Sequence, residues 1–418
     1  MELTKYKYLE NYIEVEMPDE FRDFISQYID QTLSDENPYL CGNEVIVGFA
    51  LHALNFLKKI RKDKSSSDPV NTLLRLISES HTNGDLPVIY FTNTPEEPRD
   101  KILDFNEERG FNYALNKYDR LKESFLSEWT SWLISTLLNH DDVVHPSEHG
   151  GGNRFHLISP KEEKLRKVGA STGGGRFFQH SDGTVYTELD SEDALKAKLD
   201  ELNTDIDTVA NRLSKSPEDV VSEVLSGKYT RVDATILKGI LNLKTKTYIS
   251  TPTLLQRSLV KDGFSNEELK RLSNMPIAHI AGPADGEISG FVGEINYPIY
   301  LDSDSNIIGT CTNASEGRMK YVGSDVQDAE LFEKFLATLR KMEVIEFFLK
   351  PGDLLFIPNS CYQNQPNATH GRGELDDGEY KIPVGKGRYS RRMHCRQYAS
   401  SRRRSALPSL LGPYLESH

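Results

Sequence analysis

The stretch LKPGDLLFIPNSCYQNQPNATHGRGEL, residues 349–375, carries the reading of this chain. Its Lys350-Pro351-Gly352-Asp353 has the composition of a tight turn. The turn joins two apolar runs of strand length, IEFFLK (345–350) and LLFIPN (354–359), after which the chain emerges as Thr369-His370-Gly371-Arg372. Further strand-like runs lie upstream: ATILKGILNL (234–243), TKTYIST (245–251) and GEINYPIYL (293–301). Near the front, LPVIYFTNTPEEP (86–98) reads as a short buried strand stopped by Asn, Thr and Pro. Short strands separated by long connections predict an antiparallel sandwich or jelly roll carrying helices, not a doubly wound sheet.

The helices fall mostly before these strands. Residues 18–33 place Phe21, Phe24, Ile25, Tyr28 and Leu33 on one helical face, and the apolar density of 43–61 fits a largely buried helix. A longer amphipathic helix is expected over 117–139, where Leu121, Phe125, Trp129, Trp132 and Leu133 recur at core spacing. Residues 191–226 are charged and helical in pattern, with a good N-terminus at Ser216-Pro-Glu-Asp, and read as an insertion. One more helix, 326–343, precedes the last pair of strands. The expected organisation is a mostly helical part over 1–145, packed on a core over 146–418 that contains the insertion.

Composition bounds the function. Lys plus Arg number 50 against 63 Asp plus Glu, so the net charge is 50 − 63 = −13, which argues against non-specific nucleic-acid binding. The basic run Arg402–Arg404 reads as solvated. Cys41, Cys311, Cys361 and Cys395 lie far apart with no CxxC pair, which disfavours a disulfide framework or a zinc knuckle. No apolar run has the length of a membrane span, and the opening MELTKYKYLENYIEVEMPDEF lacks a secretory pattern, so a cytoplasmic protein is expected.

The histidines carry the chemistry. Chance alone supplies about 11 × 63/418, or roughly 1.7, His-x-Asp/Glu pairs in a chain of this composition, and there are two. His140/Asp142 ends the long helix, where a helix-terminus role suffices. His180/Asp182 lies among strand-like runs, where residues i and i+2 point to one side and can converge. With His370 from a later strand, they make two imidazoles and one carboxylate, the facial donor set of a non-heme iron(II) oxygenase. A cation for a distal carboxylate should follow, and GRYSRRMHCRQYA (387–399) supplies Arg392 and Arg396 on one strand face, with Arg391 facing away. His156, His279 and His394 read as structural histidines, although His394 shares a face with Arg392.

Together these stretches resemble the clavaminate synthase-like branch of the iron(II)/2-oxoglutarate dioxygenases, relatives of taurine dioxygenase and of the arginine and asparagine hydroxylases. The likeness runs from DLPVIYFTNTPEEP through HPSEHGGGNRFHLISP and the Ser171–Tyr186 region to ATILKGILNLKTKTYIST. PGDLLF-x-x-N followed by HGR is its most specific part. The resemblance implies a double-stranded β-helix (jelly-roll) core in an α+β chain, with iron(II), 2-oxoglutarate and O2 as cofactor and cosubstrates. It implies His180, Asp182 and His370 as metal ligands and catalytic centre, Arg392 (with Arg396 as the other candidate) as anchor of the 2-oxoglutarate, and Thr247 as an added hydroxyl contact. It also implies hydroxylation of a free or carrier-bound amino acid or related small molecule. Desaturation or cyclisation by the same chemistry, and a catalytically silent binding protein, remain alternatives. Departures are Asp182 where the branch has Glu, a longer loop after HGR, and the 191–226 helices. A carboxylate at Asp182 disfavours a halogenase. The glycine-rich SEHGGGN and ASTGGGR loops and the region 309–323 are candidates for the pocket mouth.

Overall fold

The computed structural model describes residues 8–9, 12–38, 40–61, 65, 68–83, 87–108, 121–138, 142–143, 155–158, 176–182, 191–201, 205–213, 216–225, 232–242, 245–280, 292–359, 367–373 and 388–396. Along the chain, strands β1 (Tyr8–Leu9) and β2 (Tyr12–Glu16) precede helices α1 (Asp19–Tyr28), α2 (Asn43–Ile60) and α3 (Pro69–Asn83). Strand β3 (Val88–Thr92), α4 (Arg99–Glu108), α5 (Phe125–Leu137), β4 (Asp142–Val143), β5 (Phe155–Ile158) and β6 (Phe177–His180) follow. Helices α6 (Glu192–Glu201), α7 (Ile206–Leu213) and α8 (Pro217–Leu225) come next, within the charged 191–226 stretch. Then come β7 (Ala234–Asn242), β8 (Thr247–Ser250), α9 (Pro252–Lys261), α10 (Asn266–Leu272), β9 (Ile277–Ile280), β10 (Val292–Asn296), β11 (Ile299–Leu301), β12 (Ile307–Thr310) and β13 (Met319–Tyr321). The chain closes with α11 (Val326–Lys341), β14 (Ile345–Phe347), β15 (Leu354–Pro358), β16 (Thr369–Arg372) and β17 (Arg388–Arg396).

Two sheets organise the molecule. The larger runs β1-β2-β3-β15-β7-β17-β4, with β5 also on β17, and the smaller runs β14-β8-β16-β6. Among the described residues every pairing but the parallel β2–β3 is antiparallel, so the chain is α+β. Alternation along β15 explains the layering. Leu354 and Phe356 pack with Ile13, Val15, Phe91 and Ile236 against α1, α2, α3 and α5. Leu355 and Ile357 turn the other way and meet Leu237, Ile249 and Phe347, the apolar fill between the two sheets. A third cluster gathers α9, α10 and α11 with Phe178 of β6 at its edge.

The KPGD turn is built as its composition requires. Gly352 has φ +79°, a conformation that favours glycine. Asp353 accepts from the Lys350 N–H at 2.8 Å. Tyr90 of β3 donates to the same carboxylate at 2.6 Å, and burial, the largest influence, raises the pKa of both groups. The expected helix over 117–139 is shorter than its pattern: a single 3-10 turn, Lys122–Ser124, leads into α5, and 117–120 lie outside the described residues. Trp129 and Trp132 are fully buried and stack at 5.6 Å, core residues as their spacing indicated.

Candidate metal centre

His180 closes β6, and His370 stands directly opposite it in β16. Their rings lie 4.3 Å apart between centroids, and both residues are buried. The pairing is irregular: His370 faces His180 while Arg372 faces Phe177, so β6 carries one extra residue, a bulge. The bulge tips the Phe177 ring to 4.1 Å from the His180 ring. Gly371 makes it possible, since a Cβ there would stand 2.5 Å from the Phe177 carbonyl oxygen.

Asp182 does not reach the histidines by strand alternation, as its spacing suggested. β6 ends at His180, and Asp182 lies in the turn that follows. The turn brings Asp182 Oδ1 to 3.4 Å from His180 Nε2 and Oδ2 to 3.4 Å from His370 Nε2. The potential ligand atoms of the three residues all lie within 4.8 Å of one another, and no other such group of His, Cys, Asp and Glu occurs among the described residues.

The donors are prepared for a metal ion. His180 Nδ1 lies 2.9 Å from the Phe178 carbonyl oxygen. That contact places the proton on Nδ1 and leaves Nε2 a lone pair. Nε2 is buried and makes no hydrogen bond, an orphan that a cation would satisfy. Thr235 of β7 donates to Asp182 Oδ2 at 2.8 Å. Asp182 thus answers to the large sheet while both imidazoles sit on the small one. Two imidazole nitrogens and one carboxylate gathered within 4.8 Å are a donor set that suits iron(II) or a similar divalent ion.

The other expected residues distribute unevenly. Thr247 of β8 is fully buried, opposite Arg372 in β16, on the same face as Ile249, which stands opposite His370. Arg392 and Arg396 belong to β17, where the backbone of Arg392 pairs with Leu237 and His156 and that of Arg396 with Asp142. The side chains of Arg391, Arg392, His394, Arg396 and His156, all of His140, and the SEHGGGN loop and 171–175 lie outside what the structure describes. His279 is fully buried beside Cys311, Nε2 to Sγ 3.3 Å, and is not part of the triad. Burial lowers its pKa to about 4.

The first half of region 309–323 is not an exposed loop. Thr310–Ser315 are buried, and the segment binds the free edge of β6 through Ser181 N–H to Thr312 O (2.8 Å) and Ala314 N–H to Gln179 O (2.9 Å). Backbone pairing of this kind requires a straight partner, which turn-rich composition does not announce. Thr235, Asn359 and Phe177 also escaped the residue-level reading. Asn359 alone had a signal, as the last residue of PGDLLF-x-x-N.

No protein-family model matches the chain, and no curated protein matches it in sequence. Solved structures do. An asparagine oxygenase in complex with Fe(II), 2S,3S-3-hydroxyasparagine and succinate superposes with TM-score 0.57 at 13% identity, covering 92% of this chain and 93% of that one. The non-heme iron oxygenase OrfP in complex with Fe and alpha-ketoglutaric acid gives 0.55 at 13%, covering 92% and 94%. Its complex with Fe, succinate and (3S)-hydroxy-L-Arg gives 0.56 at 11%, with the same coverage. Across nine-tenths of its length, the chain has the fold of these non-heme iron oxygenases.

Proposed function

We propose that the protein is an iron(II)- and 2-oxoglutarate-dependent oxygenase that hydroxylates an unactivated C–H bond of a free or carrier-bound amino acid or a related small molecule. The observation that carries this is the buried His180–Asp182–His370 group, whose His180 Nε2 makes no hydrogen bond. The core in this reading is a jelly roll formed by the two facing sheets. The N-terminal part, 1–145, packs on a catalytic part, 146–418. The fold shared with oxygenases crystallised with hydroxylated asparagine and arginine supports the substrate class. Cys41, Cys311 and Cys395 are buried thiols outside any disulfide among the described residues, which suits a reducing compartment such as the cytoplasm.

His180, Asp182 and His370 would hold the iron, and the bound metal with 2-oxoglutarate and O2 supplies the oxidising power. The protein's own residues set geometry. The Phe178 carbonyl fixes the His180 tautomer, and Thr235 restrains the Asp182 carboxylate. Burial of all three side chains keeps bulk water from the donors. Arg392, two positions along β17 from His394, which pairs with Thr235, is our choice for the distal carboxylate of 2-oxoglutarate, with Arg396 as the other candidate and Thr247 adding a hydroxyl.

Anaerobic titration of Fe(II) into the protein with 2-oxoglutarate tests the assignment. A weak visible charge-transfer band is expected, and its absence would leave a silent binding protein. An amino-acid panel scored for succinate release and product mass then separates outcomes: gain of one oxygen is hydroxylation, loss of two hydrogens is desaturation or cyclisation.

A further inference from the structure

Asp182 is the one member of the triad that no strand ladder holds: it sits in the turn beyond the end of β6. The direction of its side chain therefore depends on whatever fixes the turn backbone. Asn359, one residue past β15 and buried, grips that backbone from both sides. Its Oδ1 accepts from the Asp182 N–H at 2.7 Å, and its Nδ2 donates to the Asp182 carbonyl oxygen at 2.7 Å. The remaining Nδ2 hydrogen goes to the Val232 carbonyl at 2.8 Å, and the Asn359 N–H goes to the Asp233 carbonyl at 2.8 Å. An amide that bonds both the N–H and the C=O of one residue does what a neighbouring strand does, fixing its position and its rotation together.

We propose that Asn359 is a positioning residue for the metal centre, holding the Asp182 turn so that its carboxylate faces the two imidazoles. The inference rests on the metal reading above and deepens it. The contacts need a donor and an acceptor on one short side chain. Aspartate offers acceptors only and would set an oxygen against the carbonyls of Asp182 and Val232. Serine is a carbon shorter, and alanine leaves the three backbone groups that the amide bonds to find other partners. Through Asn359 the turn is tied to β15 in the middle of the large sheet, the strand that also meets β3 and β7.

The molecule contains its own control. Asn367, equally buried, clamps Thr310 the same way, accepting from its N–H at 2.8 Å and donating to its carbonyl at 2.7 Å. Thr310 carries no ligand. Metal-free wild type, Asn359→Ala and Asn367→Ala should be titrated with Co(II), read by ligand-field absorption, and melted without metal. Both variants should melt below wild type. The Co(II) Kd of Asn359→Ala should rise about tenfold or more, with an altered spectrum, as loss of a ligand's supporting partner does elsewhere. That of Asn367→Ala should stay near wild type. Wild-type affinity in Asn359→Ala, or equal weakening in both variants, overturns the proposal. Should Asn359→Ala fail to fold, Asn359→Asp, which keeps the acceptor and loses the donor, must show the same loss. Failure of wild type to take up Co(II) would instead remove the metal reading itself.

Discussion

At the scale of single residues, the centre is governed by hydrogen bonds one step removed from the ligands. Thr235 donates to Asp182 Oδ2, the oxygen nearest His370 Nε2. Thr235→Val keeps the shape and removes the donor, so metal affinity should fall about tenfold while the fold persists; isothermal titration with Co(II) reads it. His180→Ala should abolish succinate release and His140→Ala should retain it, which tests the choice between the two His-x-Asp pairs. His279 makes a different prediction. Its folded pKa, lowered by burial to about 4, lies below the ordinary histidine value of about 6.5. Above that ordinary value both folded and unfolded chains are neutral there, so the residue adds no pH dependence. Between about 6.5 and 4 the unfolded chain takes up a proton that the fold refuses, and stability drops by up to about 3 kcal/mol. The melting temperature of wild type should fall over that window, and His279→Gln should flatten the difference. Equal slopes in the two proteins would refute it.

At the scale of elements, the β6 bulge matters most. Gly371→Ala would set a Cβ against the Phe177 carbonyl oxygen at 2.5 Å and the Phe178 carbonyl carbon at 3.0 Å. Strand β6 must then move off β16, taking His180 from His370. A loss of about 1–3 kcal/mol in urea unfolding, together with loss of Co(II) binding, is expected. Elements differ in how openly the sequence states them. The PGD turn and the run LLFIP are local in cause: a glycine at positive φ and an apolar strand buried on both faces. Helices α9 and α10 are also local in cause. Thr251 caps the first ahead of Pro252, and Ser265 forms a capping box with Glu268 in the second. The bulge could not have been read, because it exists only where β6 and β16 meet. The pairing of Thr312 and Ala314 with β6 belongs to the same class.

At the scale of the whole molecule, the two sheets are held by a thin apolar fill of Leu237, Leu355, Ile357, Ile249 and Phe347. Leu355→Ala removes its centre and should destabilise by about 2–5 kcal/mol in chemical denaturation, weakening metal binding in step. The antiparallel strand content was legible from short apolar runs with long connections, and the grouping of His180, Asp182 and His370 from donor chemistry. Which sheet each donor answers to was not, since that depends on the turn after β6 crossing the gap. Here the centre acquires a mechanical meaning. An ion seated on two donors from one sheet and a third tethered to the other is a rivet through the sandwich. The sheets cannot slide or part without stretching it, so loading with metal should raise the melting temperature beyond what the local contacts would supply. By the same linkage, the tightness of that seat would be a gauge of the gap between the sheets, and a mutation that widens the gap should first weaken Co(II) affinity at the triad.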